Sequence, residues 1–299
     1  MSAPAVCLID ASIYIFRYYF SLPESRFSEP EGYPTDAVYG FTGFLLQLLQ
    51  RHNPAQVAVC FDESLTSGFR HQLYPLYKSS RALPDAALAF QLKACAQAAQ
   101  LLGLACFASA RYEADDLIGS LYARCSAEPA AIAILSRDKD LAQLLARPQD
   151  YLWDYTANVT LKQDAVAAKY GVAPAQMVDY LALVGDAGDD IPGVPGVGVK
   201  TATALLRHFG SLRELFARLD EVAQVPVRGA RSLAAKLEAA REQLALAQQL
   251  ATIVRDIPLI DSPRQLRPQS ADITAFTEFS RAMGWTDALV KRAQKLTQD

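Results

Sequence analysis

Residues 6–10 read VCLID and residues 57–62 read VAVCFD, two short apolar runs each closed by an aspartate, Asp10 and Asp62. A third run, AIAILSRDKD over residues 131–140, leads into Asp138 and Asp140. Runs this short, rich in Val, Ile and Ala and separated by helical stretches, predict buried parallel strands. The fold class that follows is α/β, a mostly parallel central sheet flanked by helices. In such a sheet the carboxyl ends of the strands line the ligand crevice, so acids placed there are expected to converge.

Working outward, the pattern predicts a helix from Thr35 carrying Val38, Phe41, Leu45, Leu48 and Leu49, and an Ala-rich helix over about residues 86–103. A strand is expected at 104–108, a helix from Glu113, a strand at 150–154 leading into a hairpin, and a helix near 271–284. Residues 12–34 are aromatic-rich and uneven, and residues 63–85 show no period. From residue 164 the pattern is almost wholly helical. The expected division is an α/β core over 1–160 that includes an arch segment at 63–85, a helical region over 161–258, and a tail over 259–299.

At 299 residues the chain is long enough for a sizeable core. Five scattered cysteines without a C-x-x-C pair read as reduced core residues, not as a zinc site or disulfide framework. The start, MSAPAVCLID, has no basic segment before its apolar run, and no apolar stretch reaches membrane-spanning length. A cytoplasmic protein without membrane contact, and a monomer, is expected. With nine clustered acids set aside as ligands, a net charge of −3 becomes +6 for the remainder, compatible with a polyanionic partner.

Those nine are Asp10, Asp62, Glu113, Asp115, Asp116, Asp138, Asp140, Asp186 and Asp189. Taken alone, each cluster has an ordinary explanation. In YEADD (112–116) the acids complement a helix start, in SRDKDL (136–141) Asp138 caps a helix, and GDAGDDIPG (185–193) is a turn. Together they predict a metal site, because two bare carboxylates 4 Å apart repel by about 4 kcal/mol at an effective dielectric of 20. An all-oxygen donor set in a chain with three histidines selects Mg²⁺ or Mn²⁺ over Zn²⁺, and so many ligands suggest two ions. Paired ions suit phosphodiester hydrolysis, and no Ser-His-Asp or Cys-His arrangement offers another nucleophile.

After Asp189 comes IPGVPGVGVKTATALL (191–206). Gly193, Gly196 and Gly198 permit a tight hairpin, and Lys200 and Thr201 open the next helix, which predicts a helix-hairpin-helix near 185–206 that grips a phosphate backbone. The segment SGFRHQLYPLYKSSRALP (67–84) sets Arg70, His71, Lys78 and Arg81 beside Tyr74 and Tyr77, cations and aromatics that suit a single strand. Arg228, Arg231 and Lys236 are further candidates for backbone contact.

These motifs resemble the 5′-nuclease superfamily, most closely the 5′→3′ exonuclease domain of bacterial DNA polymerase I and stand-alone bacterial flap endonucleases. The resemblance runs from about residue 5 to 258 through LIDAS, YGF, VCFD, FRHQLYPLYKSSR, YEADD, SRDKDL, GDAGDDIPGVPGVGVKTA and LATI. It implies a two-metal nuclease cutting DNA at 5′ ends and at 5′ flaps where single strand meets duplex. Asp10, Asp62, Glu113, Asp115 and Asp116 match a first metal group; Asp138, Asp140, Asp186 and Asp189 match a second. Lys78 and Arg81 match the arch residues that steer the scissile phosphate, Tyr77 a stacking partner, and Arg17 a basic residue near the active site. Gly193 to Thr201 match the hairpin, which in this family can hold K⁺ through backbone carbonyls. The chain departs from the family at Ala11, where Gly is common, at Asp190, where Asn is common, and at Val199, where Glu is common. The tail after residue 258 is too short for a polymerase. The competing expectations are an RNA-cutting nuclease with the same acidic centre and a non-catalytic DNA-junction binder.

Overall fold

The computed structural model describes residues 4–63 and 66–296, so Ser64 and Leu65 of the arch segment and the ends of the chain lie outside the described residues. Two compact units are formed. The first comprises residues 1–65, 82–137 and 254–299, the second residues 66–81 and 138–253.

The first unit is built on four parallel strands, β1 (Val6–Asp10), β2 (Gln56–Asp62), β3 (Ala105–Ser109) and β4 (Ile132–Leu135), in the order β3-β2-β1-β4. Every residue of β1 is buried, as expected of an interior parallel strand covered on both faces. Each fully buried Leu or Ile there contributes about 1.5–3 kcal/mol. Strand order reverses at β1, so the carboxyl ends of β1 and β4 mark the switch point of the sheet. Asp10 ends β1, and in register it lies opposite Cys60, two residues before Asp62 ends β2.

The Asp36–His52 helix buries Val38, Phe41, Leu45 and Leu48, the predicted face. Helices Ala86–Leu101 and Ala114–Cys125 fall where the pattern put them. Ala11–Ser21 is a helix that the uneven aromatic run concealed, and Ala288–Leu296 is a second unforeseen one. The tail packs into the first unit. Thr35 Oγ1 donates to the Met283 carbonyl at 2.8 Å and accepts from Trp285 Nε1 at 3.1 Å, while Leu289, Val290 and Ala293 are buried. All five cysteines are free, four of them buried. No described helix is long and apolar enough to cross a membrane.

The second unit carries an antiparallel pair, β5 (Tyr151–Asp154) and β6 (Val159–Leu161), and is otherwise helical. A short 3₁₀ turn, Asp140–Leu144, stands where a helix was expected after Asp138. Helices Met177–Val184 and Val199–Phe209 flank the glycine-rich loop, giving the predicted helix-hairpin-helix. Gly193 is required by close approach, since a Cβ there would lie 2.4 Å from the Val184 carbonyl carbon; Gly196 sits at φ 82°, the left-handed region. Residues 66–81 of the arch segment belong to this unit. Phe69–Leu73 is a short helix, followed by turns through Arg81.

Candidate active site

The nine acids divide between the units, five in the first and four in the second. In the first unit, buried Asp10 accepts the Ser136 hydroxyl at 2.8 Å, tying the end of β1 to the residue after β4. Asp62 accepts the Ser12 hydroxyl and the Ala114 N–H, both at 2.8 Å, and so links the starts of the Ala11–Ser21 and Ala114–Cys125 helices. Burial pushes the Cys60 thiol well up, and Asp10, Asp62 and Asp115 each push it further, so three carboxylates bear on the end of β2.

Asp116 differs from the rest. It is 0 % exposed; one oxygen accepts the Glu113 N–H at 3.1 Å in a capping arrangement and the other accepts the Val254 N–H at 2.9 Å. Glu113 is the N-cap of the same helix. Helix capping therefore accounts for part of this cluster.

In the second unit, Asp138 accepts the Asp140 N–H at 2.9 Å, the capping role available to it. Asp186 accepts the Gly188 N–H at 2.8 Å and a short hydrogen bond from Lys139 Nζ. Asp189 accepts from Arg81 at 2.5 Å and from the Tyr77 hydroxyl at 3.2 Å, with Lys78 Nζ at 3.7 Å. Asp140 Oδ1 is buried without a hydrogen-bond partner among the described residues, although Lys139 Nζ stands 3.3 Å away as an ion pair. Burial, then Asp138, pushes the Asp140 carboxyl up to about 7, against the pull of Lys139. Four carboxylates thus share three cations, Lys78, Arg81 and Lys139. Lys139 stands between two of the predicted ligands in sequence; its role as their counter-ion was not foreseen.

Among the described residues, no three His, Cys, Asp or Glu side chains close on one point as a ready-made chelate. Asp10, Asp62, Asp116, Asp138, Asp186 and Asp189 are instead turned onto an N–H, a hydroxyl or a cation, and Asp140 has the Lys139 ion pair alone, as mutual repulsion requires. The donor chemistry nevertheless fits a hard cation. It is all oxygen, and the buried, under-satisfied oxygen of Asp140 is the kind of group that a divalent ion would satisfy.

Two assignments are corrected. Arg70 is 3 % exposed, and its guanidinium donates to the Leu250 and Thr252 carbonyls at 2.7 and 2.9 Å, so it braces the unit and does not face DNA. Tyr77 is 2 % exposed, with its ring edge-on to His71 and its hydroxyl on Asp189; a buried ring cannot stack on a base. Arg17 is exposed. At the hairpin, Gln243 donates to the Pro192 and Gly193 carbonyls at 3.3 and 2.8 Å. Lys236 Nζ lies 3.5 Å from where a Gly196 Cβ would be, which adds a cation to the hairpin tip that sequence spacing had left undecided.

Residues 5–171 match the family model "5′-3′ exonuclease, N-terminal resolvase-like domain", and residues 172–274 match "5′-3′ exonuclease, C-terminal SAM fold". DNA polymerase I of Pseudomonas aeruginosa is 38 % identical over 300 residues, covering 99 % of this chain and 32 % of that protein. The 5′-3′ exonuclease of Buchnera aphidicola subsp. Schizaphis graminum is 30 % identical over 281 residues, covering 94 % of this chain and 96 % of its own length. The chain therefore spans about a third of its DNA polymerase I relatives and nearly the whole of the exonuclease. Among solved structures, T5 5′-exonuclease with divalent zinc bound covers 98 % of both chains at TM-score 0.66, and a T5 flap endonuclease complex with DNA and metal ions covers 98 % of both at 0.65. Both are 20 % identical, a likeness of fold. With the two family models matched over residues 5–171 and 172–274, and the parallel sheet and helix-hairpin-helix in place, the chain belongs to the 5′-3′ exonuclease family.

Proposed function

We propose that this chain is a divalent-metal-dependent 5′→3′ exonuclease and structure-specific 5′-flap endonuclease acting on DNA. The observation that carries the reading is the second acidic group, in which Asp140 keeps a buried oxygen under-satisfied while Asp186 and Asp189 hold basic side chains. Stability alone does not favour such a group. Asp10, Asp62, Glu113, Asp115 and Asp116 would serve one Mg²⁺ or Mn²⁺, with Asp116 acting mainly by holding the Glu113 turn; Asp138, Asp140, Asp186 and Asp189 would serve a second. When bound, such ions activate water and stabilise charge on the leaving oxygen. The metal ions and DNA named for the T5 structures support this reading.

The chain's own contribution is positional. Lys78 and Arg81 now neutralise Asp189; a scissile phosphate offers them a stronger anion, and there they offset charge that grows in the transition state. Lys78→Ala is expected to slow turnover about 100-fold while duplex Kd changes less than about threefold. Equal losses in both would make Lys78 an affinity contact only.

The hairpin from Gly193 through Gly198 to Lys200 and Thr201 would hold duplex backbone through amides and cations, without reading bases, and its carbonyls would take K⁺. Arg17 would contact DNA near the first acidic group. Lys236→Ala should weaken duplex binding and lower the slope of log K against log salt by about 0.9, the signature of one lost phosphate contact. An unchanged slope would return Lys236 to the solvated surface. The protein is proposed to act as a monomer in the cytoplasm. The direct test of substrate is a side-by-side assay of 5′-flaps in DNA and RNA on the same duplex, with cleavage of the DNA flap at the junction as the expected result.

A further inference from the structure

Residues 78–81 are fastened to residues 188–190 by three hydrogen bonds outside the acidic groups themselves. Lys78 N–H donates to the Asp189 carbonyl at 3.0 Å, Arg81 Nε to the Gly188 carbonyl at 3.1 Å, and Ser80 N–H to Asp190 Oδ2 at 2.8 Å. The first two acceptors are main-chain carbonyls that any sequence would supply. The third is encoded by one side chain.

We propose that Asp190 is a positioning residue for the reaction: by holding the Ser80 amide it fixes Lys78 and Arg81, on either side of Ser80, at the height of Asp189. The inference rests on the reading of those two cations as phosphate-handling groups. Lys78 and Asp190 have φ of 51° and 55°, both in the left-handed region, so each strand of the clamp carries a residue in a conformation that needs external support. Asp is among the few side chains that tolerate this region, and its short carboxylate reaches a neighbouring amide without leaving it. Asp190 bonds the Ser80 amide and side chain and also interacts electrostatically with Arg81, so the charge-deleting substitution below is needed to separate the two effects.

Two substitutions separate the acceptor from the charge and from backbone strain. Asp190→Gly removes the acceptor while remaining comfortable at positive φ, and Asp190→Asn keeps an acceptor oxygen and the left-handed tolerance while deleting the charge. On a 5′-flap duplex with Mg²⁺, Asp190→Gly is expected to lower kcat about tenfold with KM and duplex Kd within about twofold, since small misplacement of a positioned group costs rate. Asp190→Asn should retain more than about half of the wild-type kcat, by the same argument from the acceptor. A wild-type kcat in Asp190→Gly, an equal loss in Asp190→Asn, or a loss confined to KM would overturn the proposal. Amide hydrogen exchange gives a readout that needs no cleavage: Ser80 should exchange at least about tenfold faster in Asp190→Gly and at the wild-type rate in Asp190→Asn. Unchanged Ser80 protection in Asp190→Gly refutes the clamp even in an active enzyme, whereas failure of the wild type to cut any flap refutes the proposed function and leaves the exchange result standing.

Discussion

Asp140→Asn is expected to abolish divalent-ion-dependent cleavage while leaving the metal-free chain as stable as the wild type or more so. The two effects have one cause. Asp140 is buried beside Asp138, with Asp186 and Asp189 adding repulsion, and Lys139 only partly compensates. Its carboxyl, at about 7 in the folded chain against an ordinary 3.8, is costly whenever it is ionised. The folded state binds the extra proton between those values, so this group's penalty is absent below about pH 4, grows as pH rises, and is complete above about pH 7. An amide of the same shape escapes the penalty. Urea unfolding at pH 8 without divalent ions should place Asp140→Asn about 1–2 kcal/mol above the wild type, with the gap closing toward pH 4. A residue kept for packing would lose stability on this change and keep activity. Full cleavage by Asp140→Asn would remove Asp140 from the active centre.

Asp116→Ala has the opposite signature. Its carboxylate, itself fully buried, accepts two amides, the buried one of Glu113 and the part-buried one of Val254, and truncation leaves both without this acceptor. At about 1–3 kcal/mol for each unsatisfied group, the loss is about 2–6 kcal/mol, enough to lower Tm by roughly 3–10 °C in a chain of this size. The Val254 bond also ties the returning chain to the Ala114–Cys125 helix within the first unit, so the Val254–Ile257 stretch should become sensitive to protease. Loss of activity in Asp116→Ala would then say little about metal ligation, because the turn carrying Glu113 and Asp115 is disturbed with it. A Tm within a degree of the wild type would show that the bonds contribute little and would restore Asp116 as a purely ligating residue.

The strands and their terminal acids were legible because a buried parallel strand leaves an uninterrupted apolar signature, and an aspartate at its end has few structural reasons to be there. The Ala11–Ser21 helix was hidden because Phe16 and Phe20 are exposed while Tyr14 and Ile15 are buried, which erases the apolar-polar period. Ala288–Leu296 was hidden by its length, nine residues, too short for a helical period to stand out. Arg70 and Tyr77 were read as DNA contacts because cations and aromatics on an irregular segment suggest exposure. Their partners, Leu250, Thr252 and Asp189, lie more than 100 residues away, and no local pattern encodes such pairings. The same distance hid the division into units. Residues 66–81 belong with Asp138–Ile253, and the tail with the first unit, whereas a break in periodicity near residue 160 follows the change from strands to helices alone.

The central claim is that these acids serve divalent ions for hydrolysis of DNA at 5′ ends. A duplex carrying an end-labelled 5′-flap, incubated with the wild-type chain with and without Mg²⁺, tests it most directly. Cleavage at or near the junction that requires the ion, and that is lost in Asp140→Asn, is the predicted result. An intact flap with either Mg²⁺ or Mn²⁺, under conditions where the chain demonstrably binds the junction, would contradict it and leave a DNA-junction-binding protein in place of a nuclease.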